Sequence, residues 1–217
     1  IRYGFEWEPF EGIELSQEKI SSFLKNVPFQ QQGVRRYSDI KLEVPPISVP
    51  KGKNTLSTQE GFGRILANLA LSKAELVERI VTTSPDVTVS TNLGGWINRT
   101  GIFSRNHIPI PNQESEVQSF QKWEQKPSGQ HFELGIAENN LFLILAAMGL
   151  SHELFSKRLI PIATLYDPFI YRGLDALNYA CYQDARFILA ATPSGISLAP
   201  EGGAHQSIGT PLVGMVQ

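Results

Sequence analysis

Between residues 131 and 191 the chain alternates two kinds of apolar segment, and this alternation restricts the fold more than any other feature. Residues 131–136 read as a strand, 138–150 as a buried helix and 159–165 as an apolar strand. Residues 168–183 then read as a helix and 186–191 as another apolar strand. Strands that are apolar almost throughout are covered on both faces, and strands joined through helices lie parallel. The expected class is α/β, a parallel sheet flanked by helices on both faces. Right-handed crossovers gather the strand carboxyl ends along one edge, where such sheets bind ligands.

Upstream, Ser57 or Thr58 caps a helix, with Glu60 completing a capping box and Phe62, Ile65, Leu66 and Leu69 at helical spacing. A turn at residues 71–73 leads into a second helix with Leu76, Val77 and Ile80 on one face, ended by Pro85. Residues 87–91 read as a short β-branched strand. Residues 92–129 are expected as one long loop, with Gly94-Gly95 and three prolines. Loops of that length are usually functional. Trp96 and Trp123 fall in it, as a partner surface or as loop packing. Residues 1–55 differ in composition, with Pro9, Pro28, Pro45, Pro46 and Pro50 and the run Gln30-Gln31-Gln32. One helix is expected there, from the cap Ser16 to about Lys25, followed by a Pro-rich extended linker over 43–54. The expected organisation is an N-terminal linker or arm, 1–55, and one α/β domain, 56–217.

Of the 217 residues 41% are hydrophobic and 18% charged, which argues against disorder. A net charge of −2 gives no broad attraction to nucleic acid or to anionic membrane. The longest apolar run, 141–150, is too short to span a bilayer. Cys181 is the single cysteine, so no intramolecular disulfide or multi-cysteine metal site can form. It is expected as a buried structural thiol, and a reducing, cytoplasmic setting is the simplest reading. The start, Ile1-Arg2-Tyr3-Gly4, has neither an initiator Met nor a signal pattern, so the chain is expected to be a piece of a longer protein. Phosphate-loop, dinucleotide, zinc-protease and serine-hydrolase motifs are absent. His107, His131, His152 and His205 lack metal-ligand spacing.

Four places could carry chemistry. Glu138 stands where a strand gives way to an apolar helix. There it is either a carboxylate sharing a proton with a ligand or a first-turn glutamate favoured by the helix dipole. Tyr166, Phe169 and Arg172, three residues apart, form either a stacking platform with a cation beside it or core aromatics and a surface arginine. Glu201 and His205 flank Gly202-Gly203 in a loop suited to close ligand approach or to no role at all. Asp86, after Pro85, is by itself only a junction.

In chain order these pieces are Ser57-Thr58-Gln59-Glu60-Gly61-Phe62-Gly63-Arg64-Ile65-Leu66, Pro85-Asp86, Gly135-Ile136-Ala137-Glu138, Tyr166-Asp167-Pro168-Phe169-Ile170-Tyr171-Arg172 and Glu201-Gly202-Gly203-Ala204-His205-Gln206. The series resembles the pyrimidine-binding domain of the transketolase superfamily of thiamine-diphosphate (thiamine pyrophosphate) enzymes. The Ser-Thr-Gln helix start and the Glu-Gly-x-x-His run look closest to the homodimeric pyruvate dehydrogenase E1 component. The Tyr-x-x-Phe-x-x-Arg spacing looks more like deoxyxylulose phosphate synthase, and transketolase is a near neighbour.

The resemblance implies a role for each matching residue. Glu138 would hydrogen-bond the aminopyrimidine nitrogen and so promote ylid formation. Phe169 would stack on the pyrimidine with Tyr166 beside it, and Asp86 would lie near the cofactor pocket. His205 would contact substrate, with Glu201 alongside, and Arg172 would hold either Glu138 or an acidic substrate group. The implied activity is 2-oxoacid decarboxylation with acyl transfer, an oxidoreductase reaction, or else a transketolase-type transferase reaction. A non-catalytic assembly module of the same fold is the reading from another class. Ala137 departs from the bulkier or polar residue of the family. Gly-Asp-Gly, which in the family binds Mg2+ and the diphosphate, is absent from this chain. The cofactors implied are therefore thiamine diphosphate and Mg2+, with the metal held by another domain. The implied partners are the diphosphate-binding and C-terminal domains, a second subunit in a homodimer and a lipoyl-bearing acyltransferase.

Overall fold

In the computed structural model the described residues are 12, 16–27, 41–49, 51, 55–72, 74–108, 122–192, 195–196 and 202–216. Six parallel strands form one sheet among them. They are β1 (Ile80–Ser84), β2 (Ile102–Phe103), β3 (Gln125–Lys126), β4 (His131–Glu133), β5 (Ile160–Leu165) and β6 (Ile188–Ala191). Their spatial order is β3-β2-β4-β1-β5-β6. β1 occupies the middle, with Thr82 opposite both His131 and Ile162.

Helices cover both faces, as the apolar strands require. One face carries α5 (Glu138–Gly149) and α7 (Leu174–Tyr182), and its core joins Val81, Leu141, Phe142, Leu145, Ala163 and Leu165. The other carries α2 (Thr58–Leu69), α3 (Glu75–Arg79) and α4 (Gly94–Thr100), packing Leu66, Leu76, Ile80, Trp96, Ile97 and Ile162. Ile80 and Val81, like Ile162 and Ala163, fall on opposite faces, which is the two-residue period of a strand. Ser57 caps α2 by accepting from the Glu60 N–H at 3.1 Å. Away from the sheet, α1 (Gln17–Asn26) is capped by Ser16, and residues 41–49 have no regular structure. α6 (Ser151–Phe155) follows α5.

Several local expectations are corrected. The helix expected from residue 73 to Pro85 ends at Arg79, and Ile80–Ser84 is a strand. Four β-branched residues there take the central slot of the sheet, where all five residues are buried. The strand expected at 87–91 is a turn. Asp86 is left-handed (φ 61°), and Thr91 turns its N–H and its hydroxyl back onto the Val87 carbonyl at 2.9 and 2.7 Å. Hydroxyls that bond their own backbone compete with strand pairing.

The long loop at 92–129 contains α4, β2 and β3, while residues 109–121 lie outside the described residues. Trp96 is fully buried in α4. The helix expected over 168–183 is two elements, a 3-10 helix (Asp167–Gly173) and then α7. Cys181 is exposed rather than buried, because Ala176 and Ala180 form the inward face of α7. Among the described residues no helix is long and apolar enough to cross a membrane.

Candidate functional site

β1 and β5 are neighbours whose outgoing connections run to opposite sides, towards β2 and towards β6. Sheets with such a switch point bind ligands in the crevice beyond the carboxyl ends of the two strands. Four connections reach this edge: residues 85–93 after β1, 134–137 after β4, the 3-10 helix after β5 and the chain after β6.

After β4, Gly135 adopts φ +65° and turns the chain into α5. Glu138 opens that helix and is 5% exposed, above the fully buried Leu141 and Phe142. Arg172 Nη1 donates to Glu138 Oε1 at 2.8 Å, and no described residue hydrogen-bonds Oε2. Arg172 stays half exposed, with its Cζ 4.0 Å from the Phe169 ring centroid. One face of Phe169 is thus covered by a cation.

Tyr166, Phe169 and Arg172 line up because a 3-10 helix has three residues per turn, which superimposes positions i and i+3. Pro168 near its start fits the fixed φ. The Tyr166 and Phe169 rings are 6.0 Å apart, and His205 meets each edge-on at 5.4 Å. Glu138, Arg172, Phe169, Tyr166 and His205 therefore form one continuous cluster. Glu201 lies outside the described residues.

Asp86 is not part of this cluster. It is exposed beyond β1, and its backbone N–H donates to Glu133 Oε1 at 2.8 Å. Glu133 also accepts from the Thr88 hydroxyl at 2.6 Å and lies 3.5 Å from His131 Nε2. His131 is fully buried, with Nδ1 2.9 Å from Thr82 Oγ1. Burial pushes the Glu133 carboxyl up. The His131 ring, the Thr88 hydroxyl, the Asp86 N–H and the charge on His131 outweigh burial and hold it at about 2, below its ordinary 4.5. A lowered carboxyl stabilises the fold above its unfolded value, and this contribution fades as pH falls from 4.5 towards 2. Glu133→Gln should therefore cost about 1–2 kcal/mol at neutral pH, discounted because the side chain is part exposed. Urea unfolding at several pH values checks this. The gap to wild type should close in acid, and a pH-independent gap would contradict it.

Local chemistry did not single out Glu133 or His131, although i and i+2 on a strand share a face. It also passed over Gln59. From α2, Gln59 Nε2 donates to the Ser90 carbonyl and Oε1 accepts from the Thr192 hydroxyl at 2.8 Å, tying the loops after β1 and β6 together. Asp167 was passed over as well. It is 1% exposed and accepts from the Gly195 N–H and the Ser207 hydroxyl.

No family model matches the sequence. The chain is 28% identical over 190 residues to the pyruvate dehydrogenase E1 component of Corynebacterium glutamicum, covering 82% of this chain and 20% of that protein. A transketolase structure from Campylobacter jejuni superposes with a TM-score of 0.53 at 18% identity, over 91% of this chain and 24% of that one. The fold is therefore that of the transketolase superfamily. The chain spans about a fifth of the curated relative's length and a quarter of the solved structure's.

Proposed function

We propose that this chain is the pyrimidine-binding part of a thiamine-diphosphate-dependent 2-oxoacid dehydrogenase E1 component, with 56–217 as the binding domain and 1–55 as its arm. The carrying observation is the continuous cluster of Glu138, Arg172, Phe169, Tyr166 and His205 at the carboxyl edge of the sheet. The donor set fits an aminopyrimidine. Glu138 Oε2 is left to bond a ring nitrogen and to share its proton, because Arg172 takes Oε1. Phe169 offers the face opposite Arg172 for stacking, and Tyr166 sits at its edge. His205 is assigned to the substrate side of the rings. Glu201 is assigned to substrate through the sequence run it shares with His205, and Asp86, outside the cluster, is assigned only to the β1 side of the cofactor's surroundings. Thiamine diphosphate, when bound, supplies the electron sink for the carbanion left by decarboxylation.

Among the described residues no three His, Cys, Asp or Glu side chains could hold a metal ion. Mg2+ and the diphosphate are assigned to a diphosphate-binding domain of the complete enzyme, across a homodimer interface. The C-terminal domain and a lipoyl-bearing acyltransferase are the remaining partners, in the cytoplasm. The similarity to a pyruvate dehydrogenase E1 component supports this activity over that of transketolase or deoxyxylulose phosphate synthase.

Calorimetry of the complete enzyme with thiamine diphosphate and Mg2+, followed by product analysis with pyruvate, tests the reading. Saturable binding and acyl transfer to a lipoyl group are expected. Carboligation or ketose cleavage without acyl transfer would move the enzyme to the transferases. No binding would make the chain a non-catalytic assembly module.

A further inference from the structure

We propose that Asp167 is a positioning residue that holds His205 against the aromatic pair. The inference rests on the substrate-side role given to His205 above. Asp167 opens the 3-10 helix and lies between Tyr166 and Phe169 in sequence, so one turn of chain carries both the rings and the carboxylate. Its Oδ2 accepts from the Gly195 N–H at 3.1 Å and from Ser207 Oγ at 2.7 Å. Ser207 Oγ accepts in turn from Thr210 Oγ1 at 2.7 Å. The Ser207 N–H donates to the Gly195 carbonyl at 3.0 Å, which closes a three-cornered knot of Asp167, Gly195 and Ser207.

Hydrogen bonds to a carboxylate are the strong ones, and a side chain 1% exposed is shielded from competing water. Ser207 stands two residues after His205. His205 closes a short 3-10 turn (Gly203–His205) that begins at Gly202, whose φ is +78°. The backbone on the far side of that turn is thereby pinned to the same helix that presents Tyr166 and Phe169. His205 has few ways to leave its two edge contacts at 5.4 Å while the knot is tied. The carboxylate acts through the backbone that it ties down and takes no chemical step of its own. It sets where the imidazole is.

The test uses the complete enzyme and compares Asp167→Asn, His205→Ala and the double variant. Asp167→Asn should lower kcat by about 10–100-fold, the usual cost of a misplaced catalytic group, and leave the thiamine diphosphate Kd within about threefold. In the His205→Ala background it should lower kcat by no more than about twofold further, because it acts through that ring. Losses that multiply would give Asp167 a merely structural role and overturn the proposal.

Hydrogen exchange gives a readout apart from activity. The amides of Gly195 and of residues 202–210 should exchange at least about tenfold faster in Asp167→Asn, with β1 and β5 unchanged. Unchanged exchange there overturns the proposal whatever the kinetics. A fully active His205→Ala enzyme would instead remove the catalytic role given to His205, and exchange alone would then decide the knot. Should Asp167→Asn fail to fold, Ser207→Ala takes its place. Ser207→Thr, which keeps the hydroxyl, should then restore both readouts, and failure to restore them counts against the proposal.

Discussion

Glu138→Gln in the complete enzyme should reduce cofactor-dependent 2-oxoacid decarboxylation by about 10²–10⁴-fold, the range for a lost proton-transfer group. The amide keeps the size of the carboxyl but cannot hold a proton for a ring nitrogen. Stability should move little. A carboxylate 5% exposed with one strong partner is expensive to bury, and replacing it removes that cost. Arg172 loses its partner but is already half exposed, so water takes over its donors. The expected signature is a large loss of rate at an almost unchanged melting temperature. A variant that decarboxylates at near wild-type rate would remove Glu138 from the site.

Phe142→Ala should cost about 3–5 kcal/mol, as a fully buried phenylalanine does when it leaves a cavity. Phe142 lies one turn after Glu138 in α5 and meets Gly173, the neighbour of Arg172. A Cβ on Gly173 would come 2.4 Å from Phe142 Cδ2 and 3.2 Å from Asn139 Cα. Gly173→Ala alone should therefore cost about 1–3 kcal/mol by overpacking. With Phe142→Ala already present the methyl enters vacated space, so the double variant should be more stable than the sum predicts by at least about 0.5 kcal/mol. Urea unfolding of the four proteins measures this coupling, and strict additivity would show that the two side chains do not share the space. The same contact fixes the distance between the elements bearing Glu138 and Arg172. Phe142→Ala should thus weaken their ion pair as well as the core.

The alternation over 131–191 is legible because strands buried on both faces are apolar throughout, and residues 138–149 are too long for a strand. β1 was not legible. Leu76, Val77 and Ile80 have helical spacing, and only pairing with β4 and β5, roughly 50 and 80 residues on, selects the strand. α4 hides behind Gly94-Gly95, poor helix formers, yet a Cβ on Gly95 would come 2.9 Å from the Ala67 Cβ. Close approach to α2 outweighs propensity there. In the site, Tyr166, Phe169 and Arg172 were legible because a three-residue spacing brings side chains together in a 3-10 helix as in an α-helix. Asp167 was not, since its partners are 28 and 40 residues away. Asp86 stands apart from the cluster because its loop is anchored to Glu133.

The middle of the sheet is lined with hydroxyls. Thr82 meets His131, Thr83 Oγ1 donates to the Phe132 carbonyl at 2.8 Å, and Thr91 meets Thr164 at 2.9 Å, all in the interior. Apolar side chains are nearly interchangeable between neighbouring alignments of two strands. Hydroxyl pairs are not, since a shift of one residue turns every side chain to the other face and leaves each group without its partner. Parallel strands drawn from distant parts of a chain have no tight turn to set their alignment. Here the threonines act as a proofreading device for strand pairing, penalising each misaligned sheet before any ligand is present to select the right one.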